Sequence, residues 1–247
     1  MTSAPSILII STSHKQMGDT LRKTGLWLEE LSTPYYIFKD AGARITVASI
    51  RGGVIPLDPR SESIISATSS TKRFAKDTEA RACISSALQI SLLSAVNFDG
   101  ILLTGGHGTM WDYPDSTPLR QLVEDFHRQH KLIGAISNGV SGLMTAMDGQ
   151  GQLLIKERQL TAYSNSEEDA MGLSTIVPFM LESRLVSLGA SYSKGPLYTS
   201  HTVTDGNLIT GQNPSSSGEV ARNMLAALKK MADSPLYSMA APPVILN

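Results

Sequence analysis

Four short apolar runs set the strongest limit on what this chain can become. They are residues 6–13 (Ser-Ile-Leu-Ile-Ile-Ser-Thr-Ser), 44–50 (Arg-Ile-Thr-Val-Ala-Ser-Ile), 100–104 (Gly-Ile-Leu-Leu-Thr) and 131–136 (Lys-Leu-Ile-Gly-Ala-Ile). A strand with one wet face alternates apolar and polar residues, whereas a near-continuous apolar run marks a strand buried on both faces. Between the runs lie stretches with helical spacing. Residues 24–42 carry Leu26, Trp27, Leu31, Tyr35 and Phe38, residues 73–93 read as a second helix, and residues 118–130 are amphipathic. Strands that alternate with helices predict an α/β fold, a mostly parallel sheet covered by helices on both faces.

The finer punctuation agrees. Gly42 closes the first helix, and Pro34 inside it predicts a kink or a fresh start. Gly52, Gly53, Pro56, Asp58 and Pro59 make a loop. A helix is expected over 177–188, then a hairpin of residues 199–204 and 207–210 turned by Asp205-Gly206, then a helix over 217–231. Residues 1–233 are expected to form one domain. The tail 234–247, with Pro235, Pro242 and Pro243, is expected to lie outside the core or against a partner.

The 247 residues are 41% apolar and 17% charged, and 21 Lys and Arg against 22 Asp and Glu leave a net charge of −1. That balance describes a folded chain. It argues against nucleic acid as a partner, since no Lys/Arg run offers a phosphate footprint. It also argues against a membrane, since no stretch approaches the roughly 18 apolar residues of a span. No basic segment precedes Ile7, and the run that follows is shorter than a signal-peptide core. The single cysteine, Cys83, excludes an internal disulfide and a multi-cysteine metal site. A reducing, cytoplasmic setting is therefore expected.

Ligands of an open parallel sheet bind beyond the carboxyl ends of its strands, and two segments stand there. Gly105-Gly106-His107-Gly108 follows the third run. Its glycines let backbone N–H groups approach a ligand closely, although such loops also occur with no ligand. Ser137-Asn138-Gly139 follows the fourth run. A small polar residue between a buried strand and a helix start has the shape of a nucleophile elbow, with the Asn138 N–H turned toward a developing oxyanion. The plainer alternative is an Asn-Gly turn with Ser137 as helix cap.

Of Glu29 and Glu30, helical spacing allows only one to share the apolar side with Leu31, and a carboxyl placed there has a raised pKa and can move protons. Glu167-Glu168-Asp169 reads as the acidic first turn of a helix. Among the five histidines, His127 and His130 lie on the amphipathic helix and are expected to be solvated, leaving His14, His107 and His201. No HxxxH or HxH spacing occurs, so no metal is expected. No GxxxxGK[ST] occurs and no GxGxxG follows the first strand, so no nucleotide or other cofactor is expected.

Four segments in this order carry a family resemblance: Lys23-Thr-Gly-Leu-Trp-Leu-Glu-Glu-Leu31, Gly105-Gly-His-Gly-Thr-Met-Trp-Asp-Tyr-Pro-Asp115, Gly134-Ala-Ile-Ser-Asn-Gly139 and Val203-Thr-Asp-Gly-Asn-Leu-Ile-Thr-Gly-Gln-Asn-Pro214. From Ser6 to about Met231 the chain resembles the ThiJ/PfpI superfamily, with its class I glutamine-amidotransferase-like fold, and within it the heat-shock-chaperone and glyoxalase III branch. The resemblance implies a flavodoxin-like, doubly wound sheet and a homodimer. It implies a cysteine at the elbow, a histidine directly after it and a glutamate from the helix after the first strand. Members with glyoxalase III activity convert methylglyoxal to lactate without glutathione or metal.

Matched position by position, the helix glutamate falls on Glu30, the oxyanion-hole glycine on Gly106, and the acid that orients the histidine near Glu168. The chain departs from the pattern at two places, with Ser137 for the cysteine and Asn138 for the histidine. A serine hydroxyl needs an adjacent base, and an amide cannot be one; His107 or His201 are the imidazoles that might serve. The candidate catalytic residues are thus Ser137, Glu30, Asn138, Glu168 and His107, and the candidate substrate-binding residues are Gly105, Gly106, Trp111 and His201.

These residues fit a cofactor-independent enzyme acting on a small carbonyl-containing metabolite by lyase, hydratase or isomerase chemistry. Glu30 would transfer protons, and the Gly106 and Asn138 N–H groups would form the oxyanion hole. A different class is also compatible: a non-catalytic stress-response holdase chaperone, for which the apolar residues 240–246 and ten methionines are suited. An elbow serine is also what a Cys-to-Ser knock-out of a glyoxalase III-like enzyme would carry. Glutamine amidotransfer is disfavoured, since it depends on the missing cysteine and histidine.

Overall fold

The alternating runs build a seven-stranded sheet in the structure, a computed structural model that describes residues 4–233. In chain order the elements are β1 (Ser6–Ser11), α1 (Leu28–Asp40), β2 (Arg44–Ser49), α2 (Ser69–Lys76), α3 (Thr78–Ser85), β3 (Leu88–Gln89), β4 (Gly100–Leu103), α4 (Thr109–Asp112), α5 (Thr117–Arg128), β5 (Leu132–Ile136), β6 (Gln159–Leu160), α6 (Asn165–Ala170), α7 (Leu181–Ser187), β7 (Ser191–Tyr192), β8 (Thr202–Asp205), β9 (Leu208–Gly211) and α8 (Ser217–Ala232). The sheet order is β3-β2-β1-β4-β5-β9-β8, and every pairing is parallel except β8 with β9. This is the α/β, flavodoxin-like, doubly wound arrangement expected from the sequence.

Strand alternation explains the two faces. Ile7, Ile9, Leu102, Leu132 and Ile136 pack under α1 and α8 with Leu31, Phe38, Val220 and Met224. Leu8, Ile10, Ile101, Leu103, Ile133 and Ala135 point the other way, to Leu119, Leu122, Val123 and Phe126 of α5. Both sides of each central strand are buried, as its continuous apolar run requires. β4 and β5 pair with Leu103 opposite Ala135, so the segments after them leave the sheet side by side. α1 begins beyond the carboxyl end of β1, the neighbour of β4.

Several boundaries differ from expectation for local reasons. Helix α1 runs through Pro34 without restarting, and it ends in a Schellman motif at Gly42 (φ +79°), where the Ala43 N–H donates to the Phe38 carbonyl at 3.0 Å. The helix expected over 73–93 is two helices and an edge strand. Thr68 starts α2 with a capping box, and Asp77 accepts from the Ala80 N–H to begin α3. Leu88 then pairs with Ala48 at the sheet edge.

The hairpin of β8 and β9 turns at Gly206-Asn207 rather than Asp205-Gly206, since Asp205 is still paired with Leu208. The helix expected over 177–188 is the shorter α7. The small pair β6–β7 lies outside the main sheet and had no periodic signal. His127 is half-buried with its Nδ1 enclosed and unpartnered, whereas His130 is exposed as expected. The 234–247 tail falls outside the described residues. Among the described residues, no helix is long and apolar enough to cross a membrane.

Candidate active site

The elbow is the first residue after β5. Ser137 has φ +57° and is 1% exposed. A left-handed backbone at a residue with a Cβ costs about 1–2 kcal/mol. Ser137→Gly is therefore expected to raise stability by about 1 kcal/mol, read as a higher melting midpoint; a lower midpoint would mean that the hydroxyl contacts outweigh the strain. The Ser137 Oγ donates a long hydrogen bond to Asn138 Oδ1 at 3.5 Å.

The glycine loop after β4 holds the carboxylate. The Gly105 N–H donates to Glu30 Oε2 at 2.7 Å. A Cβ at Gly105 would overlap that carboxylate and stand 2.8 Å from the Ile136 carbonyl oxygen, so only glycine permits this approach. Gly106 has φ +91°, and a Cβ there would run into the Gly25 carbonyl and the Trp27 backbone. Glu30, in the first turn of α1, is 1% exposed, and Glu29 beside it is half-buried. Burial pushes the Glu30 pKa well above the usual glutamate value; the Gly105 N–H and the Ser137 hydroxyl favour the ionised form and offset part of this. Glu29 is pushed up to about 7 by its own burial.

His107 is locked from both ends. Arg60 Nη2 donates to its Nδ1 at 3.2 Å, so the ring hydrogen sits on Nε2, which donates to Glu168 Oε1 at 2.8 Å. Arg60 is itself fixed by buried Asp58, through Nε to Oδ1 at 2.9 Å and Nη2 to Oδ2 at 2.7 Å. Burial alone would raise the Asp58 pKa, but the Arg60 hydrogen bonds and charge hold it below the usual value. Both nitrogens of His107 are thus engaged, and neither is free to take a proton from Ser137. This corrects the expectation that His107 could activate the serine.

Glu167 and Glu168 do lie in the first turn of α6, but they are buried and do different work. Glu167 accepts from the Ser164 N–H and Oγ, the Tyr198 N–H, Gln212 Nε2 and Asn213 Nδ2, at 2.7–3.0 Å. It ties together three segments that bring Tyr163, Tyr198 and Pro214 to the same place.

That place is a small, partly open cavity of about 70 Å³, walled by Trp27, Glu30, Gly106, His107, Ser137, Asn138, Tyr163, Met171, Tyr198 and Pro214. The structure so brings together five of the expected residues: Glu30, Gly106, His107, Ser137 and Asn138. Gly105 and Glu168 stand directly behind them, on Glu30 and His107. Trp111 is not brought there. It stacks on His14 at 5.2 Å and lines a separate groove with Met110, Met144 and Phe179. His201 is also elsewhere, with its Nε2 and the Ser193 Oγ 3.0 Å apart, so it does not reach Ser137 either.

Sequence reasoning missed Arg60, Asp58 and the aromatic wall of Trp27, Tyr163 and Tyr198. One available signal was Ser164-x-x-Glu167, the pattern of a capping box. Among the described residues, no group of three or more His, Cys, Asp and Glu side chains is placed to hold a metal ion.

Cys83 lies in α3, away from the cavity, and burial raises its pKa. Cys83→Ser is expected to leave stability and any activity unchanged within error; rapid alkylation at neutral pH with loss of activity would contradict this.

A model of the DJ-1/PfpI family matches residues 20–227. Over 242 residues the chain is 26% identical to Glyoxalase 3 of Candida albicans, covering 90% of this chain and 98% of that protein. Over 216 residues it is 24% identical to the glutathione-independent glyoxalase HSP31 of Saccharomyces cerevisiae, covering 84% and 90%. Among solved structures, the Rapid Encystment Protein 24 kDa of Francisella tularensis superposes with a TM-score of 0.87 at 37% identity, covering 91% of this chain and 99% of that one.

Proposed function

The chain belongs to the DJ-1/PfpI family, and from that premise we propose that it is a cofactor-independent enzyme acting on a small carbonyl metabolite, with lyase, hydratase or isomerase chemistry. A buried carboxyl at Glu30, held by the Gly105 N–H beside a strained Ser137, with both residues walling one small cavity, is the observation that carries it. Relatives named Glyoxalase 3 and glutathione-independent glyoxalase support the carbonyl substrate.

In this reading the substrate oxygen lies against the Gly106 and Asn138 N–H groups, and the Ser137 hydroxyl turns from Asn138 Oδ1 to donate to it. Glu30 removes a proton from the atom next to the carbonyl and returns it to its neighbour, through an enol-like state that the N–H groups stabilise. Covalent attack by Ser137 has no imidazole to support it, because His107 is engaged at both nitrogens. A cavity of about 70 Å³, about twice the roughly 30 Å³ share of one water, suits a small reacting group. Glutathione-free consumption of methylglyoxal and of a panel of small aldehydes and ketones tests the proposal. Turnover above the uncatalysed rate is expected, and none across the panel would overturn it.

The pH dependence has a definite sign. As a base, Glu30 works only when ionised, so kcat/KM should rise with pH along a limb displaced upward from the ordinary glutamate value of 4.5. Its folded pKa lies above its unfolded one, so its contribution to stability is complete below the unfolded value. That contribution is lost as pH rises through the folded one. Glu29 adds a second step of the same sign near 7. Activity should therefore climb where stability declines, and Glu30→Gln should flatten part of the stability slope. A stability slope unchanged by that substitution would contradict the assignment.

A holdase is the second reading, favoured by the full exposure of Leu21, Ile64 and Ile65. Replacing all three with serine should abolish any suppression of client aggregation while leaving carbonyl turnover intact. The same residues would serve a homodimer, which sedimentation of that variant would test.

A further inference from the structure

We propose that the side-chain carboxamide of Asn138 is a substrate-binding donor that hydrogen-bonds an uncharged oxygen of the substrate through Nδ2. Eight buried side-chain atoms among the described residues have no hydrogen-bond partner: Ser11 Oγ, Ser32 Oγ, Arg60 Nη1, His127 Nδ1, Asn138 Nδ2, Thr161 Oγ1, Asn165 Oδ1 and Ser217 Oγ. Only Asn138 is also a wall of the elbow cavity. Its side chain is 1% exposed, so water outside the fold does not satisfy it. The other end of the amide, Oδ1, accepts from Ser137 Oγ, which leaves Nδ2 as the free end.

A buried amide donor without a partner destabilises a fold. Leucine has the same branching and nearly the same size, and a site chosen for packing alone would hold it. The amide therefore serves something that enters the cavity. Nδ2 carries only donor hydrogens, so its partner is an acceptor atom. The walls supply the carboxyl of Glu30, and Glu168 stands behind His107, so a second carboxylate is disfavoured and a carbonyl or hydroxyl oxygen is selected. With the N–H groups of Gly106 and Asn138 assigned to the reacting oxygen, Asn138 Nδ2 takes a second one.

Three measurements test this. The first two stand apart from any turnover, and only the third rests on the carbonyl-enzyme reading. Asn138→Leu should raise the melting midpoint by about 2–6 °C, because it removes an unpartnered buried N–H donor at constant shape and gives up only the long 3.5 Å contact with Ser137 Oγ. A lower midpoint would overturn the proposal. Titration with hydroxyacetone, a small probe with adjacent carbonyl and hydroxyl oxygens, should move the Asn138 side-chain amide signal in a ¹⁵N-correlated NMR spectrum, assigned by its loss in Asn138→Leu. No change at that signal, with or without changes elsewhere, would overturn it. On any carbonyl substrate turned over, Asn138→Asp, which keeps the shape and removes the donor, should raise KM at least about 10-fold. An unchanged KM would overturn it as well.

Discussion

Glu30→Gln is expected to lower kcat on any accepted carbonyl substrate by about 10² to 10⁴, with KM held within about threefold. Glutamine has the same shape, and its side-chain oxygen can still accept the Gly105 N–H that now meets Glu30 Oε2 at 2.7 Å. What disappears is the one carboxyl that, among the described residues, lines the cavity. His107 donates to Glu168 and accepts from Arg60, and Asn138 does not titrate. Near-parental turnover by the variant would remove Glu30 from the chemistry and leave the carboxyl as a device for holding the glycine loop. A large rise in KM with kcat retained would assign it to binding instead.

Glu167→Ala is expected to destabilise the fold by about 3–5 kcal/mol, because five donors from Ser164, Tyr198, Gln212 and Asn213 lose one buried carboxylate. The melting midpoint should fall by roughly 10 °C. Those donors come from the start of α6, the segment carrying Tyr198 and the segment after β9, so ligand binding in the cavity should weaken together with stability. Asp169→Ala provides the comparison. Asp169 is exposed in the same acidic cluster, and its loss should change stability by less than about 0.5 kcal/mol. Equal effects from the two substitutions would refute the clamp.

The acidic cluster shows where local reading stops. Its place at a helix start was legible, since Ser164-x-x-Glu167 is a pattern within one turn. The burial of Glu167 and Glu168 was not, because their partners stand far along the chain. His107 and Glu168 are 61 residues apart, Arg60 and His107 are 47 apart, and Glu167 and Asn213 are 46 apart. Trp111 shows the converse. It shares a motif with Gly106 and His107, yet α4 carries it away to stack on His14. Adjacency in a motif does not survive a helical turn, which rotates neighbouring side chains onto different faces.

The sequence by itself determined the layered fold and the two loops that wall the candidate site. Continuous apolar runs can be satisfied only as strands covered on both sides, and the residues that end such strands must emerge at the sheet's edge. Ser137, Asn138, Gly105 and Gly106 were therefore placed by their position after β4 and β5, whereas helical spacing left Glu29 and Glu30 open and the family resemblance singled out Glu30. Tertiary structure alone decided what these groups can do. It brought Tyr163, Met171, Tyr198 and Pro214 to the elbow, and it spent both nitrogens of His107 on Arg60 and Glu168. It also desolvated Glu30 and left Asn138 Nδ2 without a partner. Hydrophobic periodicity is a property of neighbours in the chain. Desolvation and hydrogen-bond satisfaction belong to neighbours in space, and they exist only once the distant segments have met.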